Sequence, residues 1–169
     1  IKHIPGHGRA LCDSHKALPV VDASAKDLEV DLEPFERLNW APMGMTAHVV
    51  YTAWDPDHPA SQSRTVIHDI IRGRIGFDGW LISDDIGMEA LKGGFGERAA
   101  AVVAAGNDAA LHCSGVLEEM VAVADAVPAM SEEGEARLAR AMETIASFED
   151  QGSGFEETVA LRDELLGVA

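Results

Sequence analysis

Short apolar runs alternate with amphipathic segments along most of this chain, and no hairpin signal joins one run to the next. Residues 44–51, 77–83 and 108–113 read as buried strands, rich in β-branched and apolar side chains. Between the first two, Ser61 or Ser63 caps a helix whose Val66, Ile67, Ile70 and Ile71 form one apolar face before Gly76 stops it. An alanine-rich helix over 95–105 ends at Gly106, and residues 116–127 give another, closed by Pro128. Ser131 caps one more, with Leu138, Met142, Ile145 and Phe148 as its buried stripe. Residues 151–154 then break the chain ahead of a last amphipathic segment, 155–166. Strands alternating with helices in this way specify βαβ units, and hence an α/β fold with a parallel sheet.

The first thirty or so residues follow neither period. Lys2 and His3 stand where a strand would end, and residues 4 to about 30 read as a long irregular loop, a length that is usually functional. A short helix is expected over 33–38, with Pro34 in its first turn. Within the opening stretch Pro5, Gly6 and Gly8 mark tight turns, and three imidazoles, an ammonium, a guanidinium and a carboxylate crowd the same positions. Asp13 lies two residues before His15, close enough to hold one ring tautomer and favour the cation, as a general acid/base requires.

Charge narrows the partners. A net charge of −16 argues against nucleic acid and against an anionic membrane surface, both of which need a basic footprint. Two cysteines, Cys12 and Cys113, are too few for a disulfide framework and fit a reducing, cytoplasmic setting. No signal peptide or membrane-spanning run is present, although a chain that opens on Ile1 leaves room for an address further upstream.

Two motifs resemble a known family. Lys2-His3-Ile4-Pro5-Gly6-His7-Gly8, followed by Asp13-Ser14-His15, is similar to the signature of family 3 glycoside hydrolases, within them the bacterial β-N-acetylglucosaminidases of cell-wall recycling. The run from Ile70 to Asp85, ending Leu81-Ile82-Ser83-Asp84-Asp85, resembles that family's nucleophile motif. Trp80 and Ile86-Gly87 depart from the residues common around it. The family's domain is a (β/α)8 barrel, which takes about 250 residues. The resemblance therefore implies the C-terminal half of such a TIM barrel over residues 1–150, roughly strands five to eight, with a terminal helical segment over 151–169 packed on it. The N-terminal half of the barrel would be a missing partner, and a half-barrel leaves open strand edges and an uncovered apolar inner face. The resemblance further implies retaining hydrolysis of terminal N-acetylglucosamine from glycans or muropeptides, with no cofactor and no metal. Asp84 would attack, His15 oriented by Asp13 would serve as acid/base, and Lys2 and His3 would bind sugar hydroxyls.

Other assignments stay open on the residues alone. His3, His7, His15, His48, Asp13, Asp84 and Asp85 include the ligand types of a metal-dependent barrel hydrolase. Phosphorolysis within the same family and a non-catalytic binding module are further alternatives. His7 reads as a turn residue, and His48 and His112 as core or site-wall histidines. Trp40, Trp54 and Trp80 read as packing residues, with Trp54 also able to face a sugar.

Overall fold

The computed structural model describes residues 1–146 and 154–167. Strands β1 (Lys2–Ile4), β3 (Met43–Thr46), β5 (Trp80–Asp85) and β6 (Ala109–Leu111) form one sheet in the order β1-β3-β5-β6, every pair parallel. Each strand thus pairs with the next one in its series, as βαβ units joined by crossovers require. A separate pair, β2 (Val20–Val21) and β4 (Val50–Tyr51), is also parallel and sits between segments that leave the main sheet. The Lys2–His3 and Ile4–Pro5 peptides are cis.

Burial alternates along the strands and separates two faces. Ile4, Gly44, Thr46, Leu81 and Ser83 are buried beneath the helices. Their neighbours Lys2, Met43, Met45, Trp80 and Ile82 line a groove of about 200 Å³ on the opposite face. The core between sheet and helices holds Ile4, Leu28, Leu32, Val49, Val66, Ile67, Ile71, Ile75, Phe77 and Leu81. A smaller cluster joins Ile86 and Leu91 to Ala99 and Val102 of helix α2 (Phe95–Ala105).

Several boundaries differ from those read off the sequence. The irregular opening ends at Ser24, because that residue caps helix α1 (Ala25–Arg37), its Oγ accepting from Asp27 N. Leu28 and Leu32, one turn apart, then bury against the sheet. Pro34 is well inside this helix rather than in its first turn. It is exposed, as is Val30, so water can reach the Val30 carbonyl that Pro34 leaves without a donor. The strand expected over 44–51 splits, with residues 43–46 in the main sheet and 50–51 beside β2.

Residues 66–74 form a π-helical segment, Ile75 N bonding Ile70 O, which follows Ser63 as the cap for Val66 N. The third strand begins at Trp80, not Phe77, and reaches Asp85. Helix α3 spans Leu117–Ala126 and α4 Glu132–Ala146, with Ser131 Oγ accepting from Gly134 N. Among the described side chains of α4, Gly134 and Ala141 are buried, Leu138 is half-buried and Met142 faces solvent. The two small residues let α4 approach closely enough for Arg137 to reach Asp108. Helix α5 spans Phe155–Leu166. The Ile145 side chain, Phe148, residues 151–153 and the boundary expected at 150/151 lie outside what the structure describes. Trp40 is 74 % exposed instead of packed; its indole N–H donates to Arg37 O.

Candidate active site

At the C-terminal end of the sheet, β5 delivers two consecutive carboxylates into different surroundings. The Asp85 Oδ1 atom accepts from Gly87 N at 2.9 Å and from Cys113 N at 3.2 Å, so this side chain ties its own turn to the end of β6. Asp84 follows Trp80 and Ile82 in the period-two alternation and shares their face of the sheet. Its Oδ1 accepts from Asp85 N at 2.9 Å, and its Oδ2 stands 3.5 Å from His3 Nε2 across the sheet. Each carboxylate thus ties its Oδ1 to backbone, and Asp84 turns its Oδ2 toward His3.

His3 is held in a cationic neighbourhood but is itself partly buried. Burial pushes its imidazole below the ordinary value, Asp84 opposes this, and Lys2, His7 and His15 add to the lowering. Lys2, which faces Met45 in the β1–β3 register, is exposed.

The loop after β1 is tied down at both ends. Gly6 N returns to His3 O at 2.8 Å, Tyr51 O–H donates to Gly6 O, and Arg9 pairs with Asp31 of α1 and donates to Asp27 O. At the loop's far end Val50 N donates to Pro19 O at 2.9 Å. Between these anchors Asp13 and His15 form a pair: His15 Nδ1 lies 2.9 Å from Asp13 Oδ1, and His15 N donates to the same oxygen at 3.0 Å. That backbone bond, followed by the one from the ring, holds the Asp13 carboxyl below its ordinary range. The His15 side chain is 76 % exposed. The structure thus brings Asp84 to His3 and Asp13 to His15, with the second pair displayed at the surface of the loop.

Two histidines do more than the sequence signalled. His7, read as a turn residue, packs edge-on against His3 with ring centroids 5.7 Å apart, and its Nε2 lies 3.2 Å from Ser14 Oγ. It therefore connects the end of β1 to the Asp13–His15 turn. No spacing rule in an irregular loop announces such a contact. His48 is fully buried and bonds the backbone of Asp85 at 3.0 Å. The His112 side chain is buried, bonded through Nε2 to Glu119 at 3.0 Å and packed at a tilt against Phe95, ring centroids 4.8 Å apart. Trp54 packs on Tyr51, ring centroids 5.2 Å apart. Among the described residues no three His, Cys, Asp or Glu side chains converge as a metal site.

Comparison with known proteins points in one direction. The model of the glycosyl hydrolase family 3 N-terminal domain matches residues 1–148. A beta-hexosaminidase from Tolumonas auensis is 44 % identical over 121 residues, covering 67 % of this chain and 35 % of its own length. One from Chromobacterium violaceum is 46 % identical over 118 residues, with 67 % and 33 % covered. The chain thus spans about a third of the length of these curated relatives. Among solved structures, a family 3 β-N-acetylglucosaminidase from a Paenibacillus species superposes with a TM-score of 0.79 at 34 % identity, covering 90 % of this chain and 33 % of the other. NagZ from Neisseria gonorrhoeae, in complex with N-trifluoroacetyl-D-glucosamine, gives a TM-score of 0.70 at 32 % identity, with 87 % and 45 % covered.

Proposed function

This chain belongs to glycosyl hydrolase family 3, and from that premise we propose that it is part of a retaining exo-β-N-acetylglucosaminidase acting on glycans or muropeptides with a terminal N-acetylglucosamine. The observation that carries the reading is the pair of carboxylates at the end of β5. Asp84 holds Oδ2 3.5 Å from His3 Nε2 at the mouth of the sheet, whereas Asp85 Oδ1 bridges Gly87 N and Cys113 N and ties the turn to β6. Catalytic groups of parallel α/β barrels belong at that end of the strands.

In this mechanism Asp84 Oδ2 attacks the anomeric carbon as the leaving oxygen takes a proton from the acid/base. The glycosyl ester so formed is then hydrolysed by a water that gives its proton back to the same base. His15, its Nδ1 facing Asp13 Oδ1, is our acid/base. A protonated imidazole becomes neutral when it donates, so it adds no negative charge beside Asp84 during attack. Lys2 and His3, consecutive residues of β1, would take sugar hydroxyls.

We further read residues 1–146 as the C-terminal half of the barrel. The order β1-β3-β5-β6 leaves β1 and β6 as open edges, and the groove lined by Met43, Met45, Trp80 and Ile82 lies on the face that complementary strands would cover. Trp80 Nε1, buried without a partner among the described residues, lies on that same face.

The test is release of aryl alcohol from an aryl N-acetyl-β-glucosaminide by this chain complemented with the first four strand-helix units of a family relative. Turnover should vanish in Asp84→Asn and fall sharply in His15→Ala, while a 2-fluoro sugar should trap on Asp84. Labelling of Asp85 instead, or unchanged turnover in Asp84→Asn, would sink the assignment. Dependence of release on added phosphate would convert hydrolysis into phosphorolysis on the same residues.

A further inference from the structure

Behind the site runs a chain of buried polar side chains that the proposed chemistry does not use. Thr46, His48 and Ser61 are fully buried and Asn107 is 4 % exposed. Thr46 Oγ1 donates to Asn107 Oδ1 at 3.0 Å, and Asn107 Nδ2 donates to the carbonyls of Ser61 and Val102, both at 2.8 Å. Ser61 Oγ lies 2.6 Å from His48 Nδ1, and His48 Nε2 lies 3.0 Å from the Asp85 carbonyl oxygen. A carbonyl only accepts, so Nε2 carries the hydrogen and Nδ1 is left to accept from the Ser61 hydroxyl. Both ring nitrogens are then satisfied by a neutral imidazole.

The position of this ring in the sheet explains its use. Strands β3 and β5 pair as far as Thr46 and Ser83. Past that point β3 turns away toward β4, and the Asp85 carbonyl accepts from Met88 N of its own turn at 3.1 Å. His48 Nε2 adds a second donor to it, at 3.0 Å, from the turn that follows β3. The other backbone group of the same residue, Asp85 N–H, donates to Asp84 Oδ1. Asp85 is thus held on one side by His48 and holds Asp84 on the other.

We propose that His48 is a positioning residue that, through the Asp85 backbone, keeps Asp84 Oδ1 engaged and Asp84 Oδ2 directed at His3. The role rests on Asp84 being the attacking carboxylate. Ser61 and Asn107 extend the support, the first by fixing the tautomer and the second by fixing the Ser61 backbone to β3. Because His48 touches neither sugar nor reacting atoms, its effect should appear in kcat with KM nearly unchanged.

The experiment has three arms on the full chain. Long-range proton–nitrogen correlation spectra of the wild type should show His48 as the Nε2–H tautomer. Amide exchange should be faster at Asp85 in His48→Leu by roughly five- to tenfold, the factor that loss of one buried hydrogen bond implies, and restored in His48→Gln, whose amide N–H can reach the same carbonyl. In the complemented enzyme, His48→Leu should lower kcat on the aryl glycoside and His48→Gln should recover most of it. An Nδ1–H tautomer, or Asp85 exchange unchanged in a folded His48→Leu, overturns the proposal. If His48→Leu does not fold, failure of His48→Gln to protect the Asp85 amide overturns it equally. Absence of wild-type turnover would count against the glycosidase reading alone, since the tautomer and exchange arms need no activity.

Discussion

Replacing Asp108 by Ala should be among the most damaging single changes in the protein, although it lies at the opposite end of the strands from the proposed chemistry. The Asp108 side chain is 4 % exposed and accepts three bonds: Arg72 Nη2 at 2.9 Å, Leu81 N at 2.8 Å and Arg137 Nη1 at 2.9 Å. One carboxylate therefore joins the π-helical segment, the start of β5 and α4. Arg72, with 16 % of its side chain exposed, also donates to the carbonyls of Phe77 and Gly79. Burial already pushes its guanidinium below the ordinary value, the nearby Arg137 cation adds to this, and Asp108 is the counter-charge that offsets both. Without it a buried cation is left beside another.

Breaking a buried pair by removing one partner costs about 3–5 kcal/mol, and Arg137 contributes little of this because it is also bonded to Asp78 at 3.2 Å. Asp108→Ala is therefore expected to cost about 3–5 kcal/mol, or a Tm lower by about 10 °C for a chain of this size. Asp108→Asn keeps the shape and one acceptor and should cost about 2 kcal/mol, the value of the charge-assisted bonds it weakens. Urea unfolding followed by circular dichroism and by tryptophan fluorescence measures both. An Asp108→Ala cost below about 1 kcal/mol, or an Asn variant as damaged as the Ala variant, would refute the view that the charge itself is what Arg72 requires.

Two further outcomes are expected from packing and protonation. A Cβ at Gly79 would lie 2.5 Å from both Ala41 O and Phe77 Cζ, whereas one at Gly44 would meet only side-chain atoms, Ile4 Cδ1 at 2.7 Å and Phe77 Cζ at 2.8 Å. Gly79→Ala should therefore cost about 1–3 kcal/mol and exceed Gly44→Ala, since a carbonyl on the backbone cannot swing away; equal midpoints in urea would contradict this. Burial holds the His48 imidazole below its ordinary 6.5, against the pull of the Asp85 backbone bond and the charges of Asp84 and Asp85. Below 6.5 the unfolded chain binds the proton that the folded chain refuses, so this share of stability is complete above that pH and declines as pH falls toward the folded value. The drop in urea midpoint between roughly pH 7.5 and 5.5 should be smaller in His48→Gln than in the wild type, and an equal drop would show that His48 is not the group involved.

Much of the architecture was legible along the chain because it depends on local signals. The alternation of β-branched runs with capped amphipathic helices specifies parallel βαβ units, and Gly106, with φ of +115°, ends α2 where an L residue would be strained. The two motifs, Lys2 to His15 and Ile70 to Asp85, were likewise visible as residue types that packing does not explain. Boundaries were less legible wherever a tertiary contact outweighed a local cue. Pro34 suggested a helix start, yet Leu28 and Leu32 found a core that extends the helix across it. Met142 suited a buried stripe, yet the approach of α4 on Gly134 and Ala141 turned it outward.

The site divides in the same way. Sequence alone placed two carboxylates side by side at positions 84 and 85 and an imidazole two residues from Asp13. It was the tertiary structure that tied Asp85 Oδ1 to Gly87 and Cys113, turned Asp84 Oδ2 to His3, and set His7 against His3 and His48 behind Asp85. The physical reason is that a side chain's chemistry is local, while the hydrogen bonds that commit or release it come from strands, turns and helices tens of residues away. A residue's type says what it can do; only the groups that the fold brings to it decide what each of two neighbouring aspartates faces.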